Sequence, residues 1–172
     1  MRQSVADTQS LLENLLDMTK KGKEIQISYA ATAFRVLDAV SGTLKVYGDI
    51  ARLNGQQINI SIPENIEIYT DKQLFTVIIR NLINNAVKFS GNGSMIYFSY
   101  AQQKDVHVFA VLDNGPGIIE EVRSEILESW QDLGRNVSRS EAIGLVLSKK
   151  YADGLNADFS FETVLIWGRP LL

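Results

Sequence analysis

Apolar residues recur at helical spacing in three parts of the chain. Between residues 4 and 21 leucines fall on one stripe, and Gly22 follows as a stop signal. From 72 to about 88 the same spacing returns, and Asp71 stands where a helix N-cap is expected. A third helix is expected from 34 to 53, where apolar residues recur every three or four positions. The pattern therefore predicts an N-terminal helix and two further helices in the first half.

Short alternating stretches predict strands, and glycine-rich or polar stretches predict the turns between them. The predicted strands are 24–29, 57–63, 66–70, 95–101, 106–112, 157–162 and 164–167. The predicted turns are 90–94 and 113–117, and two more helices are predicted at 120–129 and 143–152. Residues 130–141 are polar and without clear periodicity. Strands and helices mixed in this order predict an α+β fold, a two-layer α/β sandwich with a mixed sheet and helices on one face, preceded by an N-terminal helix.

Composition narrows the class of protein. The chain has 172 residues, of which 45% are hydrophobic and 22% charged, so it can bury a core. A net charge of −3 gives no basic excess of the kind that binds nucleic acid. The absence of cysteine excludes disulfides and thiolate metal sites. No apolar run reaches the length of a membrane span, and no signal peptide is visible.

The segment NLINNAVKFS places several amides in an otherwise apolar helix. On a helical wheel Asn81, Asn84, Asn85 and Lys88 fall on one arc of about 100°, apart from the apolar side. The pattern alone favours a solvent-exposed face. That face is usually built from better helix formers, because asparagine competes for backbone hydrogen bonds. Something other than helix propensity is expected to compensate.

Two glycine-containing segments follow. DNGPGI, at 113–118, is explained by itself as a tight turn, although its glycines would also let a ligand approach the backbone. The carboxylate of Asp113 could accept a hydrogen bond from an exocyclic amine. IGLVLSKKYAD, at 143–153, places a glycine near a predicted helix start, where free N–H groups attract anions. By itself this is an ordinary helix start.

Taken together and in this order, the three segments resemble the motifs of sensor histidine kinases. NLINNAVKFS is similar to their asparagine box, DNGPGI to the first glycine box and IGLVLSKKYAD to the second. The resemblance covers roughly residues 30–168 and implies the ATP-binding fold shared with gyrase-type topoisomerases and heat-shock chaperone ATPases. Residues 10–28 also resemble the end of the second dimerisation helix. The implied division is a dimerisation-helix end at 1–22 and an ATP-binding catalytic domain at 23–172.

The resemblance implies a set of ATP-binding residues. They are Asn81, Asn85, Lys88, Phe89, Asp113, Gly115, Gly117, Ile118, Gly144 and Leu145. Among them Asn85 would ligate Mg²⁺ through its amide oxygen, while Asn81 and Lys88 would lie near the phosphates. Phe89 would line the adenine pocket, and a partly buried Asp113 would accept a hydrogen bond from the adenine amino group. Residues 119–142 would form a lid over the phosphates, and Gly144 with Leu145 would close the phosphate side at the helix start.

The chain departs from the family pattern in several places. Ser140 and Ala142 stand where the second box normally has glycine, the preceding phenylalanine box is reduced to LESW, and no clear third box follows. The single histidine, His107, lies in a predicted strand and is expected to be structural. No catalytic residue is assigned within the chain. The acceptor histidine is expected upstream of Met1, in a longer receptor of which this chain is a fragment.

The resemblance implies transfer of the ATP γ-phosphoryl group to a histidine outside the chain, with ATP and Mg²⁺ as cofactors. The implied partners are the histidine-containing dimerisation domain of the same receptor, a response regulator and a second copy in the full-length protein, with no nucleic acid. A cytoplasmic location is expected.

Two alternatives remain. The altered second glycine box is also compatible with a nucleotide-binding pseudokinase that signals without phosphoryl transfer. The other alternative is a relative of the same fold that acts on a serine of an anti-sigma partner, or a chaperone- or topoisomerase-type ATPase; the helix predicted at 4–21 argues against it.

Overall fold

The computed structural model describes residues 30–131 and 140–161. The elements are β1 (Ala31–Arg35), α1 (Val36–Leu53), β2 (Gln57–Ser61), β3 (Glu67–Asp71), α2 (Lys72–Phe89), β4 (Met95–Gln103), β5 (Val106–Leu112), α3 (Glu120–Gln131) and α4 (Ser140–Gly154). The helix and strand predicted at 4–21 and 24–29, the domain segment 1–22 and the strand predicted at 164–167 lie outside the described residues.

The strands form a mixed three-stranded sheet and a separate antiparallel pair. In the mixed sheet the order is β2-β4-β5, with β2 parallel and β5 antiparallel to β4. The strands β1 and β3 pair with each other. The parallel pair is possible because the chain crosses from β2 to β4 through β3 and the long helix α2. The predicted α+β class with a mixed sheet and packed helices is confirmed.

One large cluster forms the core between the sheets and the helices α1 and α2. Val36 and Val40 of α1, Ile83 of α2, and Ile96 and Phe98 of β4 are fully buried in it. These residues come from the apolar stripes of the helices and from alternate positions of the strand, as the sequence pattern predicts. Smaller clusters join α2 to α4 and α3 to α4.

Both ends of α2 are fixed by side chains. The carboxylate of Asp71 accepts hydrogen bonds from the backbone N–H groups of Ala30, Gln73 and Leu74, at 3.0, 2.9 and 3.0 Å. Burial raises the pKa of Asp71, but these donors outweigh it and hold the pKa below its ordinary value. The predicted N-cap is thereby confirmed.

At the other end of α2, the side chain of the buried Gln56 donates hydrogen bonds to backbone carbonyl groups at the helix end. Its Nε2 donates to the carbonyls of Val87 and Ser90, at 3.1 and 2.6 Å. The last carbonyls of a helix have no partner within the helix, so this side chain stabilises the point where the asparagine segment ends.

Three sequence predictions of secondary structure require correction. Phe34 belongs to β1, a strand that the sequence did not predict and that exists because β3 pairs with it. Residues 157–161 were expected in a strand and are not in one. Instead, the rings of Phe159 and Phe161 pack edge-on against Trp130, at 5.8 and 5.3 Å between ring centroids. Their alternation therefore reflects packing against α3.

The third correction concerns α4, which begins at Ser140 rather than at 143. A glycine at position 142 would weaken a helix there, whereas alanine is the best helix former. Ala142 is also fully buried against Val122 and Ile126 of α3. Both effects extend the helix by about one turn at its N-terminal end.

Candidate functional site

The polar arc of α2 is mostly covered by other parts of the chain. Asn81 is 4% exposed, Asn84 and Asn85 are half-buried, and of the four only Lys88 is exposed. A solvent-exposed face, which the pattern alone favours, is therefore wrong for Asn81. The cover comes from α4, which crosses this part of α2.

Asn81 and Asn85 meet α4 at the same glycine. The amide nitrogen of Asn81 lies 3.4 Å from the carbonyl oxygen of Gly144 and 3.3 Å from the hydroxyl of Ser148. A Cβ placed on Gly144 would lie 3.9 Å from the amide nitrogen of Asn85, which is ordinary van der Waals contact. The first and third sequence motifs are thus adjacent in space.

The loop at 113–117 meets the C-terminal end of α2. The Oδ1 atom of Asp113 accepts hydrogen bonds from the backbone N–H of Gly115, at 2.8 Å, and from the hydroxyl of Ser90, at 3.4 Å. These bonds orient the carboxylate as predicted. Asp113 is nevertheless exposed rather than partly buried, because the loop lies on the surface beyond the end of β5.

The two glycines of this loop are required by the conformation of the chain. A Cβ on Gly115 would lie 2.7 Å from Oδ1 of Asp113 and 3.2 Å from the carbonyl oxygen of Phe89, so the residue must be small. Gly117 has φ of +76°, a region that side chains disfavour. The backbone of the loop at Gly115 therefore passes close to the backbone of α2 at Phe89.

The remaining predicted residues have different surroundings. Lys88 is exposed, with its Nζ 5.1 Å from the ring centroid of the partly exposed Phe89. Leu145 is 8% exposed and packs in the α3–α4 cluster, to which the half-buried Ile118 also contributes. Since α4 begins earlier than predicted, Gly144 lies in its second turn and not at its start.

Sequence reasoning missed two polar residues that shape this region. Gln56 holds the end of α2, and Ser148 joins α4 to Asn81. No sequence pattern distinguishes either residue. Gln56 is an ordinary polar residue after a helix, and Ser148 is a small residue within a helix. Both are nearly or completely buried, which only the fold reveals.

His107 is exposed on β5, and its Nδ1 lies 2.9 Å from the hydroxyl of Tyr100. It stands six positions before Asp113, which corresponds to about 20 Å along the strand. Within residues 30–131 and 140–161, no group of three or more acidic, histidine or cysteine side chains could hold a metal ion alone. Over the same ranges no helix combines the length and apolarity that crossing a bilayer requires.

Residues 70–167 match the family model described as histidine kinase-, DNA gyrase B- and HSP90-like ATPase. The chain belongs to this ATPase family. The match spans all three motifs, which the structure brings together along α2.

Relatives with curated names include a sensor protein and a signal transduction histidine-protein kinase. The chain is 32% identical over 151 residues to the sensor protein KdpD of Clostridium acetobutylicum, a match that covers 83% of the chain and 16% of that protein. It is 32% identical over 139 residues to the histidine-protein kinase AfsQ2 of Streptomyces coelicolor, covering 80% of the chain and 24% of that protein. The chain thus spans less than a quarter of the length of each of these relatives.

Among solved structures, the catalytic domain of histidine kinase ThkA matches with a TM-score of 0.60 and 17% identity, over 73% of this chain and 80% of that one. A structure of ThkA in complex with the response regulator TrrA matches with a TM-score of 0.65 and 15% identity, over 91% of this chain and 43% of that one. At these identities the likeness establishes the fold of this ATPase family.

Proposed function

We propose that this chain is the ATP-binding catalytic domain of a two-component sensor histidine kinase, which transfers the γ-phosphoryl group of ATP to a histidine outside the chain. The observation that carries the proposal is the glycine of α4 facing the asparagine segment of α2. Gly144 lies inside a helix, where glycine costs about 1 kcal/mol relative to alanine. Among the described residues, a Cβ there would meet the amide nitrogen of Asn85 at ordinary contact distance, 3.9 Å, and we assign the space on this side of α4 to a ligand.

The adenine end of the nucleotide is assigned to the loop and the end of α2. The carboxylate of Asp113 is exposed, and the Ser90 hydroxyl and the Gly115 N–H hold its Oδ1 in place. A carboxylate with a free second oxygen can accept a hydrogen bond from the amino group of adenine. The backbone carbonyl of Phe89 lies beside this loop, and its partly exposed ring would offer an apolar surface to the base.

The phosphate end is assigned to the facing surfaces of α2 and α4. Lys88 supplies an exposed positive charge at the end of α2, and Gly144 leaves the surface of α4 open. Gly117, Ile118 and Leu145 shape the surrounding loop and the α3–α4 packing. The roles of these residues are proposals that rest on the motif resemblance and on their placement.

Mg²⁺ fits the donors that this region offers. Asn85 is half-buried, its amide nitrogen lies 3.9 Å from where a Cβ on Gly144 would be, and the oxygen of the same amide is a hard ligand of the kind Mg²⁺ takes. A magnesium ion bound with ATP keeps waters and phosphate oxygens as ligands and needs only one or two from the protein. Asn85 would therefore hold the ion, whose charge would neutralise that of the phosphates.

The domain's contribution to phosphoryl transfer is positioning and charge neutralisation, for which no general base within the chain is required. The acceptor is assigned to a histidine-containing dimerisation domain of the same receptor, of which residues 1–22 would be the last part. Residues 23–172 would be the catalytic domain. A response regulator is the proposed downstream partner, as one is bound to ThkA in its solved complex. In the full-length protein we propose a homodimer with its catalytic domains in the cytoplasm. The pseudokinase remains an alternative, which phosphoryl transfer in the longer protein would exclude.

The proposed site is tested by Asp113→Asn. Asparagine keeps an acceptor for the Gly115 N–H, so the loop is expected to hold its shape. The charge-assisted hydrogen bond to adenine is lost, which weakens ADP binding by about ten- to a hundredfold. The measurement is calorimetric titration with ADP and Mg²⁺, together with circular dichroism to check the fold.

Asp105→Asn is the matched control for this test. Asp105 is exposed in the turn at the opposite end of β5, so the substitution changes charge equally without touching the site. It is expected to leave ADP affinity within about twofold of the parent. Equal ADP affinity in the parent and Asp113→Asn would remove Asp113 from the site.

A further inference from the structure

A buried polar network joins α4 to α2 at the candidate site. The hydroxyl of Ser148 lies 2.8 Å from the carbonyl oxygen of Gly144, and the amide nitrogen of Asn81 lies 3.3 Å from that hydroxyl and 3.4 Å from that carbonyl. Asn81 is 4% exposed, and Ser148 is fully buried. Buried polar groups are costly without partners, so these groups satisfy one another.

The directions of these hydrogen bonds follow from the available protons. Ser148 has one hydroxyl proton, which it donates to Gly144 at the shortest distance of the network. Its oxygen is then an acceptor for Asn81, whose two amide protons are directed toward the hydroxyl and the Gly144 carbonyl. Both amide protons of Asn81 are therefore directed toward α4.

The network fixes the part of α4 that faces Asn85. The carbonyl oxygen of Gly144 accepts hydrogen bonds from Asn81 and Ser148, and the position of a Cβ on Gly144 faces the Asn85 amide. We infer that Ser148 and Asn81 are positioning residues of the nucleotide site, which hold Gly144 against Asn85 at the spacing that the phosphates and Mg²⁺ require. This inference rests on the proposed function and assigns Ser148 a part in it.

The chain contains a matched control for Ser148. Ser129, on α3, is 1% exposed, and its hydroxyl donates to the carbonyl of Glu125 four residues earlier, at 2.7 Å. Ser148 makes the same bond within α4 to the residue four positions before it. Ser129 thus has nearly the same burial and the same local bond, but its hydroxyl bonds to Glu125 of α3, whereas that of Ser148 also contacts Asn81 of α2. Replacing either serine by alanine removes an equivalent hydroxyl.

The experiment compares Ser148→Ala with Ser129→Ala in the whole 172-residue chain. Calorimetric titration with ADP and Mg²⁺ gives the affinity, thermal unfolding gives the stability, and the nitrogen–proton NMR signals of the Asn85 side-chain amide report the placement of α4. Ser148→Ala is expected to shift the Asn85 signals and weaken ADP binding by about two- to tenfold, a modest effect because the Asn81 contacts are long. Ser129→Ala is expected to lower the melting temperature similarly, without either change.

Identical Asn85 signals and ADP affinity in the two variants would overturn the inference. Should Ser148→Ala fail to fold, Asn81→Asp serves instead, because aspartate has the same shape without the amide protons. It is expected to shift the Asn85 signals, and unchanged signals would overturn the inference equally. A parent chain that binds no ADP would contradict the proposed function alone, since the Asn85 signals still decide whether the network places α4.

Discussion

The two glycine-containing motifs differ in what their glycines do. In the loop at 113–117, Gly117 is needed for its positive φ and Gly115 for contact with Phe89, so the chain explains both. In α4, Gly144 has ordinary helical conformation, and a Cβ there would clash with none of the described residues, so neither conformation nor a clash within them requires glycine. Gly42 and Gly48 of α1 likewise relieve no clash with the described residues, so it is the position of Gly144 beside the asparagine segment that leads us to propose a ligand there.

The same contrast appears within the second motif. At position 142 a methyl group replaces the usual glycine and is fully buried between α3 and α4, where it contributes to folding. At position 144 the glycine is kept. This part of α4 therefore serves the core on one side and the candidate site on the other. Substitutions at Gly115, Asp71 and Gly144 separate effects on folding stability from effects on nucleotide binding.

Gly115→Ala is expected to have the largest effect on stability. The added Cβ would lie 2.7 Å from Oδ1 of Asp113 and 3.2 Å from the Phe89 carbonyl oxygen, so the Asp113 side chain must turn away and the backbone must shift by a few tenths of an ångström. The free energy of unfolding is expected to fall by about 1–3 kcal/mol, as for other strained backbone positions. ADP binding should weaken as well, because Asp113 loses its orientation. Urea denaturation and ADP titration measure the two effects.

Gly91→Ala is the control for that substitution. Gly91 lies in the neighbouring turn, and a Cβ there would come within 4 Å of no atom beyond its chain neighbours in residues 30–131 and 140–161. Its free energy of unfolding is expected to stay within about 0.5 kcal/mol of the parent. Equal losses in the two variants would mean that the loop does not need a small residue at 115.

Asp71→Ala is expected to have an intermediate effect and to separate stability from binding. It removes the N-cap of α2 at the end opposite Phe89, about 27 Å along the helix. The expected loss is about 1 kcal/mol at neutral pH, with ADP affinity unchanged within about twofold. A large fall in ADP affinity would show that the site responds to any loss of stability in α2.

The pH dependence of this loss follows from the lowered pKa of Asp71. The native state favours the charged carboxylate, so its contribution is complete above the ordinary pKa of about 3.9. It disappears as the pH falls through the folded pKa. The difference in free energy of unfolding between the parent and Asp71→Ala, measured by urea denaturation, should therefore be constant between about pH 5 and about pH 7. It should shrink below about pH 4.

Some of this organisation could be predicted from sequence, and the reasons are physical. The helix α2 and its N-cap follow from local spacing and a local hydrogen bond, and the loop at 113–117 follows from turn residues. The strand β1 exists only because a distant strand pairs with it. The alternation at 157–161 is shared by strands and by side chains that pack on a helix, so periodicity could not distinguish them.

The candidate site shows the same division. The motif residues on α2 and in the loop could be named from their order along the chain. The commitment of Asn81 to Ser148, and the start of α4 before Gly144, depend on how two helices cross. No pattern within either helix contains that information.

Gly144→Ala is expected to have the smallest effect on stability and the opposite sign. Alanine in a helix interior is favoured over glycine by about 0.5–1 kcal/mol, and of the described residues the Cβ would meet only the Asn85 amide, at ordinary contact distance. The free energy of unfolding should therefore rise by about that amount. ADP affinity with Mg²⁺ should fall, because the methyl group fills the space assigned to the ligand.

The most direct measurement is therefore the ADP affinity of Gly144→Ala and of the parent chain, with and without Mg²⁺, alongside urea denaturation of both. The account predicts a variant that is more stable and binds ADP more weakly, with the larger loss when Mg²⁺ is present. A variant that is more stable and binds ADP as tightly as the parent under both conditions would contradict it, since the space at Gly144 would then belong to no ligand.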